Sequence, residues 1–118
     1  MIGGLYMNMP AQLAKANTLP LIMPDLVQGM DDAVTAIDCY VADAKAAVGD
    51  RIVVDGRVKR GKLDEDQHAA HGLAWSATYA ETLREVAGWA RRLESNGQFG
   101  ETEALLSQIL FAEYCAQF

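Results

Sequence analysis

From Leu26 to Val48 the apolar residues Leu26, Met30, Val34, Ile37, Val41, Ala44 and Val48 step by 4, 4, 3, 4, 3 and 4. A strand would send such residues to alternating faces, whereas a helix of 3.6 residues per turn stacks them in one stripe. The segment must therefore fold as an amphipathic helix and needs something to pack on along its whole length. Asp25, after Pro24, is placed to cap it and Gly49 to end it, which predicts a helix over about residues 25 to 48. Asp31, Asp32, Asp38, Asp43 and Lys45 mostly fall off the stripe.

Two further helices follow from the same reasoning. Asp64, with Gln67 three residues on, has the spacing of a capping box and predicts a helix over 64 to 95. Trp75, Tyr79, Val86, Trp89 and Leu93 form one stripe along it, and Leu73, Ala77, Ala80, Leu83, Ala87 and Ala90 an adjoining one. So wide a face calls for more than one packing partner. Gly72 and Gly88 each cost about 1 kcal/mol relative to Ala within a helix, and are expected where a neighbour approaches closely. Asn96-Gly97 stops the helix, and a third runs over 100 to 117 with Glu101 and Glu103 near its positive end. Leu105, Leu106, Ile109, Leu110, Phe111, Tyr114, Cys115 and Phe118 cover nearly its whole circumference, so it is expected to be the central, buried element. The short linker at 96 to 100 makes the last two helices an antiparallel hairpin.

The expected fold is all-α, with three main helices in a small bundle. Residues 51 to 59 join a β-branched run to Asp55-Gly56, which fits either a short loop or a tiny hairpin. Residues 1 to 23 read as an irregular N-terminal arm with at most a helical turn over 11 to 16, and 24 to 118 as the helical domain. The apolar pattern is still running at Phe118 without a stop signal, so the domain is expected to be truncated at its C-terminus.

With 51% apolar and 22% charged residues over 118 positions, the chain can build a core. Its net charge of -6 disfavours nucleic acid or an anionic membrane as a partner. Met1 to Pro10 lacks a basic leader, and the apolar run Leu19 to Met23 is short and broken by prolines; no membrane span and a cytoplasmic location are expected. Cys39 and Cys115 match no zinc or redox spacing and are expected reduced and buried.

Asp64, His68 and His71 recur at i, i+4 and i+7, the face on which a carboxylate and two imidazoles grip a metal ion. No third firm ligand from another element is visible, so helix capping by Asp64 and hydrogen bonding or packing by the histidines is the simpler reading, and no metal is assigned. Neither histidine has a Ser, Cys or Asp partner at recognisable spacing, so no catalytic residue is assigned. No complete glycine-rich phosphate motif is present in the sequence, so no cofactor-binding residue is assigned. Arg84, Arg91 and Arg92 could bridge an acidic neighbour or reach a phosphate, but Glu81, Glu85 and Glu94 within helical reach favour a solvated face. Trp75, Tyr79 and Trp89 read as core rather than a ligand platform.

The run His68-Ala69-Ala70-His71-Gly72-Leu73-Ala74-Trp75, then Ala77-Thr78-Tyr79, Leu83, Trp89-Ala90, Phe99-Gly100-Glu101 and Phe111-Ala112-Glu113-Tyr114, resembles a segment of the acyl-CoA dehydrogenase superfamily. More narrowly, it is similar to the N-terminal helical extension of methylsuccinyl-CoA dehydrogenase-like flavoproteins, over about residues 48 to 118, with the earlier helix fitting more loosely. The resemblance implies an FAD-dependent oxidoreductase whose flavin and acyl-CoA sites lie in a catalytic body that follows; the carboxylate and flavin segments of that body have no counterpart in this chain. It implies a structural or assembly role, with no FAD held and no catalysis by these residues alone, and the catalytic body of the same polypeptide as partner. The alternative is a free-standing helical interaction protein that self-associates through the helix at 100 to 117.

Overall fold

The computed structural model describes residues 20–118. Four helices and one two-stranded ribbon follow in order: α1 (Leu26–Ile52), β1 (Val53–Val54), β2 (Arg57–Val58), α2 (Arg60–Glu65), α3 (Gln67–Ser95) and α4 (Glu101–Cys115). The fold is all-α in substance, with three main helices. The arm expected over 1 to 23, including the turn at 11 to 16, lies outside the described residues apart from residues 20–23.

The frame is the antiparallel pair α1 and α3, which make the principal interface. Every residue of the α1 stripe is buried or half-buried, Met30 and Val48 most fully. From α3 the facing residues are Ala80, Leu83, Ala87 and Ala90, none more than 2% exposed. Three alanines in four contact positions keep the opposing helix close, and Leu83 supplies the bulk. Of the two stripes on α3, the alanine-rich one is thus the core. Trp75 is 49% exposed, and Tyr79 and Trp89 are half-buried, so the aromatic stripe is not the buried face expected for it.

Two ion pairs fix the register. Asp31 and Asp38 on α1 meet Arg91 and Arg84 on α3, so a step of seven residues forward on one helix matches seven back on the other. Arg84 also holds Glu81 on its own helix. Bonded first of all to Asp38, the Arg84 guanidinium is raised above the ordinary arginine range. Two of the three arginines read as a solvated face therefore bridge to α1.

Several boundaries differ from expectation. Gly49 does not end α1, which runs on to Ile52; a helical glycine costs about 1 kcal/mol, and Ile52, only 9% exposed, more than recovers it by burial. The reversal is made instead by Asp55 and Gly56, with φ of 51° and 73°. Positive φ at both central residues is what a tight hairpin turn demands. Val53 pairs with Val58 and Val54 with Arg57, so of loop and hairpin the chain forms the hairpin. The ribbon is held at its open end: Lys59 N–H donates to the Ile52 carbonyl at 2.9 Å, and beyond it Arg51 meets Asp66 at 2.5 Å.

Asp64 does not start the second long helix. It lies inside α2, and the chain breaks at Asp66 (φ -108°, ψ 24°) before α3 begins. Asp25 stands at the start of α1 in a left-handed conformation with no side-chain cap; its carbonyl accepts from Gly29 N–H at 2.9 Å. Gly72 has no neighbour within 4 Å of where a Cβ would sit, and Gly88 only the Arg91 and Arg92 side chains, so neither marks a close helix approach.

The largest correction concerns α4. It packs on α3 and less on α1, and buries only Ala104, Ser107 and Phe111. Leu106, Ile109 and Leu110 are 52%, 64% and 36% exposed, so it is an outer helix, not the central one. Its start is as expected: Glu103 Oε2 accepts from Gly100 N–H at 3.0 Å. The hairpin of α3 and α4 also forms, across a linker in which Gly97 takes φ 66° and Gln98 N–H donates to the Leu93 carbonyl.

Candidate functional site

α4 is only 15 residues long against 27 and 29 for its neighbours. At the level where it runs out, aromatic side chains from all three helices gather. Tyr79 of α3 lies 5.4 Å from Tyr114 of α4 and 6.4 Å from Phe118, ring centre to ring centre. Phe118 meets Tyr40 of α1 edge-to-face at 5.7 Å, and Trp75 stacks on Tyr79 at 5.7 Å. Such contacts add about 0.5–1.5 kcal/mol each beyond area burial. Trp75, Tyr40 and Phe118 remain 49%, 51% and 37% exposed, so the cluster is a surface as well as a joint.

Above it runs the outward side of α4. At 100° per residue, Leu106, Ile109, Leu110 and Glu113 fall within an arc of about 100°, opposite Ala104, Ser107 and Phe111. Leu21 and Met23 are also well exposed. They are held to α4 by Gln108, whose Oε1 accepts from Met23 N–H at 2.8 Å while its Nε2 donates to the Leu21 carbonyl at 2.9 Å. The amide thus pairs with a backbone as a neighbouring strand would. Sequence reasoning missed this clamp, because a lone glutamine in an apolar helix carries no periodic signal. The Asp31/Asp38 and Arg84/Arg91 pairing was missed as well, although both spacings are seven, because the nearby glutamates on the same helix favoured a solvated face for the arginines.

The structure puts Asp64, His68 and His71 along one shallow depression, with Leu63, Gln67 and Ala70. Asp64 stands on α2 and the histidines on α3, so the helix break at Asp66 separates carboxylate from imidazoles. The Asp64 oxygen lies 3.5 Å from Gln67 Nε2. His71 Nε2 accepts from the Trp75 indole N–H at 2.7 Å, so the lone pair a metal would take is engaged. Among the described residues no three His, Cys, Asp or Glu side chains are grouped to hold a metal ion.

A flavin is fitted no better. An apolar cleft of about 290 Å³ lies between α1 and α4, lined by Met23, Leu26, Met30, Gln108, Phe111 and Cys115, with Asp25 at its edge. Its polar groups are an amide and a carboxylate, and no cation lines it to hold a pyrophosphate. This cleft does not fit FAD, and no chemistry is derived through it. Both cysteines are free; Cys39 is exposed rather than buried, and Cys115 is half-buried, its thiol pushed up by burial. No helix of the described residues is long and apolar enough to cross a membrane.

With this geometry the described residues can pack and be packed against. The chain is 45% identical over 96 residues, 81% of its length, to (2S)-methylsuccinyl-CoA dehydrogenase of Cereibacter sphaeroides. The resemblance to an acyl-CoA dehydrogenase is therefore shown. It reaches further than the motifs that carried it, since a 96-residue match in this chain cannot be held within residues 48 to 118 and takes in α1. The chain spans 18% of that relative's length. No protein-family model matches it.

Proposed function

We propose that this chain is a helical segment of an FAD-dependent acyl-CoA dehydrogenase-like protein, placed before its catalytic body and serving assembly rather than chemistry. The observation that carries the reading is the 45% identity to a stretch amounting to 18% of a methylsuccinyl-CoA dehydrogenase. The outward face of α4 supports it, because Leu106, Ile109 and Leu110 form an apolar stripe that the described residues leave uncovered. Residues 24 to 118 act in this reading as one helical unit. The hydride chemistry, the flavin and the acyl-CoA belong to the body, and the unit contributes a docking face.

A chimaera tests this. The matched stretch of the Cereibacter sphaeroides protein is replaced by residues 20–118 of this chain, and flavin content and dehydrogenase activity are measured against the intact parent. A chimaera that folds, holds flavin and retains activity within a few-fold of the parent is expected. One that is insoluble or flavin-free, while the parent is neither, would overturn the reading.

The same face supports a second reading, in which a second copy covers it and the chain is a self-associating interaction protein. Light scattering across a dilution series, with Leu110→Glu beside the wild type, separates the two. Concentration-dependent dimers that Leu110→Glu abolishes would favour self-association.

A further inference from the structure

The charges on and around the outward face of α4 say what kind of surface can cover it. α4 contains three glutamates and no lysine, arginine or histidine. Glu113 is exposed, sits one turn beyond Ile109 on the same face, and has no ion-pair partner among the described residues. Glu101 is exposed at the helix start. A second copy of α4 fits this face poorly. Packing Leu106 of one copy against Ile109 of the other, antiparallel, sets Glu113 opposite Thr102 of the second copy, between its Glu101 and Glu103. The helix start there offers about +0.5 of a charge, and the two glutamates bring two negative ones. A parallel pairing places Glu113 against Glu113. The net charge of -6 adds repulsion at longer range.

We infer that the outward face of α4, formed by Leu106, Ile109, Leu110 and Glu113, docks an amphipathic helix that carries Lys or Arg beside its apolar stripe, and not a second copy of this chain. The inference rests on reading α4 as an assembly face, but not on the partner's being a dehydrogenase body. Apolar contact supplies the affinity, and the rim charge opposite Glu113 sets the orientation and excludes acidic surfaces.

The test uses two synthetic amphipathic helices with the same leucine stripe, one flanked by lysines and the other by glutamates. Binding of each to the full chain is followed by fluorescence anisotropy at low and high salt. The lysine-flanked peptide is expected to bind about threefold more tightly for each rim pair it makes, with the preference shrinking as salt screens the charges. Ile109→Glu should abolish binding of that peptide, and Glu113→Lys should reverse the preference. Asp43→Lys, an equal change of net charge on exposed α1, should not, which separates a local rim from bulk attraction to an acidic protein. Equal binding of the two peptides, binding of neither, or equal effects of Glu113→Lys and Asp43→Lys would overturn the inference. So would a dimer of the chain alone that Ile109→Glu dissolves and Glu113→Lys leaves intact. Because the probes are peptides, failure here is distinct from failure of the chimaera, which tests what the partner is.

Discussion

Ser107 is fully buried on the inner side of α4, and its hydroxyl finds no hydrogen-bond partner. Leaving a buried polar group unpaired costs about 1–3 kcal/mol, so Ser107→Ala should raise stability by about 1 kcal/mol in urea melts. Gly72 offers a second gain of similar size, since it is helical, exposed and open where a Cβ would stand. Gly72→Ala should stabilise by about 1 kcal/mol, and a loss would mean that something packs there after all. The two thiols should part under alkylation. Burial favours the neutral form of Cys115 and raises its pKa, so at mildly alkaline pH it holds less thiolate folded than unfolded, and being also half-covered it should react more slowly with iodoacetamide than the exposed Cys39. The folded chain keeps the Cys115 proton to higher pH than the unfolded one. That contribution to stability is present at neutral pH and is lost as pH rises through the thiol range.

At the scale of elements, the two ion-pair rungs between α1 and α3 serve register more than stability. The Arg84 and Asp38 side chains are 42% and 43% exposed, and pairs so solvated contribute about 0.2–1 kcal/mol. The double variant Asp38→Arg with Arg84→Asp should therefore recover most of what either single charge reversal loses, as measured in a thermal melt. Gln108 matters differently, because it pins residues 21–23 to α4 by both ends of its amide. Gln108→Ala should speed limited proteolysis before α1 several-fold while leaving the helical circular dichroism signal intact.

The helices themselves were legible in the sequence because a 3.6-residue period depends only on which residues are apolar. What periodicity cannot see is which stripe wins. On α3 the alanines took the core from the larger aromatics, because small residues let two long helices close along their length. On α4 an all-round apolar pattern was equally consistent with a central helix and with an outer one awaiting cover. The end of α1 was misplaced because Gly49 is a stop signal only where the chain must turn, and here Asp55-Gly56 makes the turn. Of the candidate site, spacing alone set Asp64, His68 and His71 on one helix face, whereas the hydrogen bond from Trp75 to His71 and the helix break at Asp66 could be seen only in three dimensions.

Taken whole, the molecule is a long two-helix frame with a shorter third helix laid on one half of it and an aromatic joint where that helix stops. The outermost described helix is also the most apolar, and the proposed docking role gives that surface a partner. Amide hydrogen exchange of α4 tests this most directly, compared between the chain by itself and the chimaera that carries the dehydrogenase body. By itself, α4 should open locally and exchange faster than the mid-sections of α1 and α3, since it buries the fewest residues of the three. Joined to the body, its protection should rise by tenfold or more at Leu106 to Leu110, while that of α1 and α3 changes little. An α4 already as protected as α1 in the chain alone, or one whose exchange is unaltered when the body is present, would contradict the docking role.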